Sequence, residues 1–283
     1  MKPFPEIVTF RVTSRCNNDC EHCFGPRKDT REMDIKKLKE LFQLFHERKV
    51  KAILFTGGEP LVREDFGEIV TDLKNRGFKI FLDTNGDLFF NYSDLISDNV
   101  DIVGLPIDFP NKSYRNPDNL ANVIKVLDFL KKRPKRPSIK IGTTVTRKNI
   151  GDLEKIGELI KNYPIDIWKI FEFIPQNVNA VKNKTVLQVP PEQFEEATKR
   201  VEEKFSNRLN IVVSRRMDRT KAYFFVASDG TVFMPVDDMN ICKEVVVGNV
   251  FDDDIVDKWE KTVSEKNYVN NARVTFDYKF ADG

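Results

Sequence analysis

Short β-type runs alternate with helix-type runs along the first two thirds of the chain. The β-type runs are apolar and rich in β-branched residues, and they read IVTFRVT (7–13), KAILFTGG, FKIFLDTNG, VDIVGLPID, SIKIGTTVT and IDIWKIFEFI. Between them, apolar residues recur at helical spacing, which predicts a helix after the cysteine loop and others at about 66–76, 91–97, 117–132, 152–162 and 191–205. Repeated strand–helix units predict parallel strands with right-handed crossovers. Six such units predict an α/β fold built as an open, partial (β/α)6 barrel.

The pattern changes after about residue 209. The runs NIVVS, KAYFFVA, TVFMP and EVVVGNV follow one another, with a turn signal, SDGT, between two of them. They predict a small antiparallel extension that contains a hairpin, and a last helix is expected at about 255–263. The sequence therefore predicts two domains, a partial barrel over residues 1–209 and a C-terminal β-rich extension over residues 210–283.

The composition indicates a globular protein that stays in the cytoplasm. Of the 283 residues, 40% are hydrophobic and 32% are charged, and no run approaches the roughly 18 apolar residues of a membrane span. The beginning, MKPFPEIVTF, lacks the pattern of a signal peptide. A net charge of +2 is too small to indicate a membrane or nucleic acid as an obligatory partner.

Three of the four cysteines lie in one short stretch, RCNNDCEHCF, at Cys16, Cys20 and Cys23. In a reducing compartment such spacing favours metal ligands or redox groups over disulfides, and thiolates select zinc, copper or iron–sulfur clusters. A structural zinc site would need a fourth ligand, which could only be His22 or the distant Cys242. A cubane cluster usually takes four cysteines, so three leave one iron open, as in a catalytic site.

The spacing C-x3-C-x2-C, followed one strand later by GGEP at residues 57–60, resembles the radical S-adenosylmethionine (radical SAM) superfamily over roughly residues 5–175. The resemblance implies a TIM-type partial barrel and a [4Fe–4S] cluster held by the three cysteines, with S-adenosylmethionine (SAM) on the fourth iron. Reductive cleavage of SAM would give a 5′-deoxyadenosyl radical that takes hydrogen from a substrate. A reducing protein such as flavodoxin or ferredoxin would supply the electron. His22 departs from the family, which often has an aromatic residue there.

The resemblance also implies residues that contact SAM. Gly57 and Gly58 would let the backbone approach the methionine closely, and Glu59 would pair with its amino group. Further contacts to SAM or substrate are expected where later strands end, at Thr84, Asn85, Gly86, Asp108, Thr144 and Thr146. A turn or helix-cap role is equally open for these residues, and a tight turn is compatible with Glu59.

The C-terminal region resembles the SPASM-type extension of relatives that modify peptides, but only Cys242 remains of its thiols. One thiol cannot hold an auxiliary cluster, so a single cluster is expected. Cys242 is then either an ordinary buried cysteine or a donor of hydrogen to a substrate radical, as in radical SAM peptide epimerases. The hypothesis favoured by the sequence is a radical SAM enzyme acting on a peptide or small protein, in a modification or epimerisation of the kind made on ribosomal peptides.

Two alternatives stay open. The run IDIWKIFEF also resembles viperin and its relatives, which dehydrate a nucleoside triphosphate, and Lys140 and Lys169 fall where that family binds phosphate. Gly142 and Ile167, however, replace its asparagine and arginine. The segment SRRMDRTK offers other phosphate or carboxylate ligands, or only a basic surface loop, with Arg215, Arg216, Arg219 and Lys221. The second alternative is a non-catalytic zinc or iron–sulfur module.

Overall fold

The computed structural model describes residues 2–25 and 31–270, and its elements follow the alternation predicted from the sequence. The strands are β1 (Ile7–Thr13), β2 (Ala52–Gly57), β3 (Lys79–Asp83), β4 (Ile102–Pro106), β5 (Ser138–Val145), β6 (Ile167–Glu172), β7 (Ile211–Ser214), β8 (Phe225–Val226), β9 (Thr231–Asp237) and β10 (Cys242–Asn249). The α-helices are α1 (Ile35–Glu47), α2 (Phe66–Asn75), α3 (Ser93–Asn99), α4 (Asn119–Lys131), α5 (Leu153–Ile160), α6 (Val178–Lys182), α7 (Lys184–Leu187), α8 (Pro191–Phe205), α9 (Ile255–Glu260) and α10 (Glu265–Tyr268). The last 13 residues of the predicted extension, 271–283, lie outside the described residues.

Contacts divide the described chain into two compact units. The first unit contains residues 2–15, 25, 31–81 and 216–270. The second unit contains residues 16–24 and 82–215. Strand β3 is shared, because its first three residues belong to the first unit and its last two to the second. None of the described helices has the length and apolarity needed to cross a membrane.

The strands of the first unit run in the order β10-β9-β8-β1-β2. Strands β1 and β2 are parallel, with Ile7 opposite Ala52, and β8 also pairs in parallel with β1. Strands β8, β9 and β10 are joined by antiparallel pairing. The turn signal SDGT lies between β8 and β9, where Gly230 has a φ of +90° that favours glycine. The hairpin predicted for the C-terminal region is therefore confirmed.

The second unit contains parallel strands in the order β4-β5-β6-β7. The run NIVVS, predicted to belong to the antiparallel extension, forms strand β7, and that prediction is wrong. It pairs in parallel with β6, with Trp168 opposite Ile211. The physical reason is the connection through the 15-residue helix α8, since a strand–helix–strand crossover returns the chain in the same direction.

Alternation along the strands separates a face that packs against helices from the opposite face. In β1, Phe10 packs against Phe42 of α1 with ring centroids 6.4 Å apart, so Arg11 and Thr13 lie on the opposite face. In β6, Trp168 packs against Phe205 of α8, which places Lys169 on the opposite face. Arg11, Thr13 and Lys169 therefore face away from the helices that pack on their strands.

Candidate active site

The cysteine loop, residues 16–24, contains neither helix nor strand. Cys16 is exposed, Cys23 is half-buried and Cys20 is buried, and burial raises the pKa of the Cys20 thiol to about 12. No three His, Cys, Asp or Glu side chains converge as a metal site in residues 2–25 and 31–270. The donor set nevertheless suits an iron–sulfur cluster, because all three thiols lie outside any disulfide within eight residues of one loop.

Asparagine side chains connect the first half of the loop to the chain after β3. The side-chain amide of Asn85 donates to the Asn17 side-chain oxygen at 2.7 Å, and that of Asn18 donates to Asp87 at 2.8 Å. The structure thus places Asn85, a predicted SAM contact, against the cysteine loop. Asp87 was not predicted. The available signal was the asparagine-dense segment RNPDNLAN, whose side chains also bond to Asp87.

His22, which replaces the family's aromatic residue, is packed inside the second unit. Its ring lies 4.5 Å from that of Tyr114, and its Nε2 is 3.6 Å from an Asp108 oxygen. Burial lowers the pKa of His22 to about 4, although the Asp108 carboxylate acts in the opposite direction. His22 is therefore a neutral packing residue near neutral pH. The Tyr114 hydroxyl in turn shares a short hydrogen bond with the hydroxyl of Thr146.

Asp108, a predicted SAM or substrate contact, has partners within its own unit. One carboxylate oxygen accepts the backbone N–H of Thr144 at 2.8 Å, and the other accepts Nη1 of Arg115 at 2.7 Å. Asn149 donates to the Asp108 carbonyl at 2.8 Å. Asp108 thus fastens the end of β4 to β5 and lies beside the loop residue His22. Its contact with SAM or substrate stays a prediction, as does that of Thr144.

Short helices that the sequence did not predict hold the second half of the loop. Asn179 in α6 donates to the side chain of Asp19 at 2.8 Å and to the carbonyl of Cys20 at 3.3 Å. Asn183, which follows α6, donates to the Glu21 carbonyl at 3.4 Å. The loop is therefore held from several elements by side-chain amides, which can donate and accept at once.

In the first unit, GGEP packs against the end of β1. The Gly58 N–H donates to the Thr13 carbonyl at 2.9 Å and the Glu59 N–H donates to the Arg15 carbonyl at 2.8 Å. A Cβ on Gly58 would lie 2.0 Å from the Arg15 oxygen, and one on Gly57, whose φ is +136°, would lie 2.2 Å from the Thr13 oxygen. Both glycines are thus needed for this close backbone packing. Because Arg15 directly precedes the first cysteine, GGEP is fastened to the chain that enters the loop.

Glu59 and Thr84 both have turn roles. Glu59 is only 1% exposed, and its carboxylate accepts the Leu61 N–H at 3.1 Å, which caps the short 3-10 turn Pro60–Val62. The Thr84 hydroxyl accepts the Gly86 N–H at 3.1 Å. The turn roles that the sequence left open are confirmed for both residues, and their contacts with SAM stay predictions.

A family model for the radical SAM superfamily matches residues 10–160 of the chain, which is 151 of its 283 residues. The chain belongs to the radical SAM superfamily. It is therefore an enzyme of that family, and its cofactors are those of the family, a [4Fe–4S] cluster and SAM, as the sequence predicted. The residues of the cysteine loop and of GGEP fall inside the matched segment.

The relatives of this radical SAM enzyme are named as different enzymes. The chain is 27% identical over 204 residues to the AdoMet-dependent heme synthase of Oleidesulfovibrio alaskensis, covering 69% of this chain and 52% of the relative. It is 26% identical over 247 residues to the probable GTP 3',8-cyclase of Methanothermobacter thermautotrophicus, covering 82% and 76%. The chain thus spans about half of the length of the heme synthase.

A solved structure resembles the fold of this radical SAM enzyme. Streptococcus suis SuiB bound to the precursor peptide SuiA superposes with a TM-score of 0.72 at 14% identity, over 96% of this chain and 67% of SuiB. At that identity the likeness shows the fold. It confirms the predicted class, α/β with an open, TIM-type partial barrel.

The candidate anion ligands of this radical SAM enzyme have anionic or aromatic neighbours within their own unit. Lys140 Nζ lies 2.6 Å from an Asp83 oxygen, and a Cβ on Gly104 would lie 2.0 Å from that oxygen and 2.7 Å from Lys140 Cε. Gly104 thus provides the space in which the pair forms. Lys169 Nζ lies 5.3 Å from the Phe171 ring centroid. A phosphate-binding role for Lys140 would require it to share its charge with Asp83.

Arg215 and Arg216 are adjacent in sequence but differ in surroundings. Arg215 makes two hydrogen bonds to Glu195, of 2.6 and 2.7 Å, and both side chains are about half exposed. Arg216 makes two hydrogen bonds to Asp237, of 2.5 and 2.6 Å, and both side chains are almost completely buried. The Arg216–Asp237 pair therefore joins the chain after β7 to the end of β9 as a buried structural contact.

The two arginines give a matched stability prediction. Arg216→Ala is expected to lower the free energy of unfolding by about 3–5 kcal/mol, because it leaves the buried Asp237 carboxylate without its guanidinium. Arg215→Ala is expected to lower it by about 0–1 kcal/mol, since solvent screens an exposed pair. Urea unfolding of the two variants checks this, and equal effects would contradict it.

Cys242 begins β10 opposite Asp237 and is buried inside the first unit. Burial raises the pKa of its thiol to about 12, so the group is a neutral thiol at physiological pH. A neutral S–H is the form that a hydrogen-atom donor requires. The structure fits that role and the role of an ordinary buried cysteine equally, and the donor role stays a prediction.

Proposed function

We propose that this radical SAM enzyme acts on a peptide or small protein and modifies it by hydrogen abstraction, with modification or epimerisation as the outcome. The observation that carries the proposal is the pairing of Lys140, Arg215 and Arg216 with carboxylates, which leaves these cations poorly suited to a triphosphate. The fold likeness to SuiB, solved with a precursor peptide, also supports it.

In this proposal the cysteine loop holds the cluster through Cys16, Cys20 and Cys23, and GGEP holds the methionine part of SAM. When bound, the cluster and SAM supply the one-electron cleavage that generates a hydrogen-abstracting group. The residues of the chain bind and orient the cluster, SAM and the substrate, and they exclude water from them. Glu32 supports this arrangement, because it accepts two hydrogen bonds from Arg15, at 3.2 and 3.1 Å, and one from Thr13, the last residue of β1. We also propose that the boundary between the barrel and the extension lies between residues 209 and 210, as the sequence predicts.

A cavity on the face of β1 opposite α1 supports a peptide substrate. It has a volume of about 260 Å³ and lies between Arg11, Thr13 and Ser14 of the first unit and the hairpin residues Asp229 and Glu244. Arg11 is buried, pairs with Glu244 and lies 4.3 Å from the Phe233 ring centroid. The volume is below the 300–1,000 Å³ typical of small-molecule pockets, so it suits a single peptide residue better than a whole nucleotide.

Reconstitution and a substrate screen test the proposal. The enzyme reconstituted without oxygen is expected to hold about four irons per chain and to cleave SAM to 5′-deoxyadenosine. Extended synthetic peptides are expected to raise the yield of 5′-deoxyadenosine above background, whereas GTP and CTP are not. One tightly held zinc with no cleavage of SAM would contradict the enzymatic mechanism, and a rise with a nucleotide alone would contradict the peptide.

A nucleoside triphosphate is the second candidate substrate. It is favoured by the relative named probable GTP 3',8-cyclase, of which the chain covers 76%.

The role of Cys242 is tested separately with any peptide that is converted. If its thiol donates hydrogen, product formed in D2O gains one deuterium at the epimerised carbon, and Cys242→Ala cleaves SAM without forming that product.

A further inference from the structure

Asp87, four residues after β3, is the centre of a hydrogen-bond network in the second unit. One carboxylate oxygen accepts side-chain N–H groups of Asn18 and Asn116, each at 2.8 Å. The other accepts those of Asn119 and Asn122 at 2.9 and 3.1 Å. Four donors match the acceptor capacity of a carboxylate, which is about four lone-pair sites. We call these five residues the Asp87 network.

The Asp87 network keeps its central group ionised. Burial by itself raises the pKa of Asp87, but the amide donors of the four asparagines outweigh it and hold the pKa below its usual value. A carboxylate that accepts from every neighbour is an acceptor only, so each amide must turn its NH2 group towards it. The charge therefore fixes the orientation of all four amides.

The Asp87 network reaches the first cysteine through Asn18. The Asn18 side-chain oxygen accepts a second bond from Asn116 at 2.9 Å, so both ends of its amide are fixed. The backbone N–H of the same residue donates to the sulfur of Cys16 at 3.4 Å. Hydrogen bonds to cluster sulfurs are among the features by which proteins set cluster potentials. The orientation of the Asn18 amide is thus coupled to the surroundings of the Cys16 sulfur.

We propose that Asp87 is a positioning residue for the cluster, which acts through Asn18 to hold Cys16 and the N–H···S hydrogen bond at its sulfur. The inference rests on the proposed role of Cys16, Cys20 and Cys23 as ligands. The Asp87 backbone N–H also donates to the side-chain oxygen of Asn85, an expected SAM contact, at 2.9 Å, whereas the carboxylate of Asp87 reaches the cysteine loop through Asn18. Its effect is therefore on cluster retention and on the electronic properties of the cluster.

Asp87→Asn tests the proposal in the reconstituted enzyme, because it removes the charge and sets an NH2 group against two of the four donors. The affinity for the cluster is expected to fall about 10–100-fold, as for other residues that orient metal ligands, and is measured as faster loss of iron to a chelator than in the unchanged enzyme. The electron paramagnetic resonance spectrum of the reduced cluster that remains is expected to change. Asp118→Asn is the matched control, since it removes a carboxylate from an exposed position in the same segment and is expected to change neither.

A reciprocal variant separates positioning from general stability. In Asn18→Asp/Asp87→Asn the donor and acceptor exchange places, so the bond between positions 18 and 87 can form again and slow iron loss is expected to return in part. A merely structural role would lower the melting temperature further and would not restore iron retention. If Asp87→Asn does not fold, Asn18→Ala removes the same hydrogen bond from the loop side. Faster loss of iron from this variant than from the unchanged enzyme then supports the positioning role.

Two outcomes would overturn the inference. The first is an Asp87→Asn enzyme that loses iron no faster than Asp118→Asn and has an unchanged spectrum. The second is a folded Asn18→Ala enzyme that retains its cluster as the unchanged enzyme does. Failure of the proposed function is distinct, because then the unchanged enzyme would bind no cluster or would not cleave SAM.

Discussion

Single alanine variants of Cys16, Cys20 and Cys23 are each expected to lose the cluster and with it all cleavage of SAM. Three thiols on one loop are the smallest set that fills three irons and leaves the fourth open, so two thiols cannot hold the group in the required form. Iron and sulfide per chain after reconstitution, the visible absorption of the cluster and the yield of 5′-deoxyadenosine measure the effect.

Cys242→Ala is the matched control for these variants. It removes the same side chain from a buried position in the first unit, outside the cysteine loop. It is expected to retain about four irons and the cleavage of SAM, whatever its effect on product. Iron loss in this variant, or a full cluster in any of the other three, would show that the ligands have been assigned wrongly.

The second large effect is expected for Gly58→Ala. The added Cβ would lie 2.0 Å from the Arg15 oxygen and 2.5 Å from its carbonyl carbon, and backbone atoms cannot rotate away as a side chain can. The free energy of unfolding is expected to fall by at least about 1–3 kcal/mol, as for overpacked cores. Arg15 must move, and Cys16 moves with it, so iron retention is expected to fall as well.

Gly151→Ala is the control for Gly58→Ala, because no atom outside its local backbone lies within 4 Å of the position that its Cβ would take. Its melting temperature and iron content are expected to stay close to those of the unchanged enzyme. Thermal unfolding of the apoprotein and iron analysis after reconstitution compare the two. A Gly58→Ala enzyme as stable and as rich in iron as Gly151→Ala would contradict the packing seen at GGEP.

The sequence predicted the elements whose burial leaves a strong periodic pattern. Strand β1 is found at the predicted residues 7–13 because it is buried on both faces, and α8 has the predicted bounds of 191–205. The short helices α6 and α7 were not predicted, since helices of five and four residues are stabilised by tertiary contacts rather than by their own sequence. The direction of β7 could not be read from NIVVS, because it depends on the crossover that precedes it.

The candidate site was predictable only where its chemistry has a fixed spacing. C-x3-C-x2-C and GGEP are local patterns, so they identify the loop and the turn from sequence. The Asp87 network joins residues as far apart as Asn18 and Asn116, which only the folded chain brings together. The glycines of GGEP were expected to leave room for SAM, and the structure adds that they leave room for Thr13 and Arg15. That second reason depends on the neighbouring strand, which no local pattern contains.

The pair of Lys140 and Asp83 across Gly104 has a consequence for how this sequence can diverge. Three strands contribute one residue each, and the space above Gly104 is filled by the other two side chains. Mutations at these positions cannot be additive, since a larger residue at 104 removes the room that the ion pair occupies. A substitution at one of the three positions therefore limits which residues fit at the other two. Homologues are expected to keep or exchange Asp83, Gly104 and Lys140 as a set.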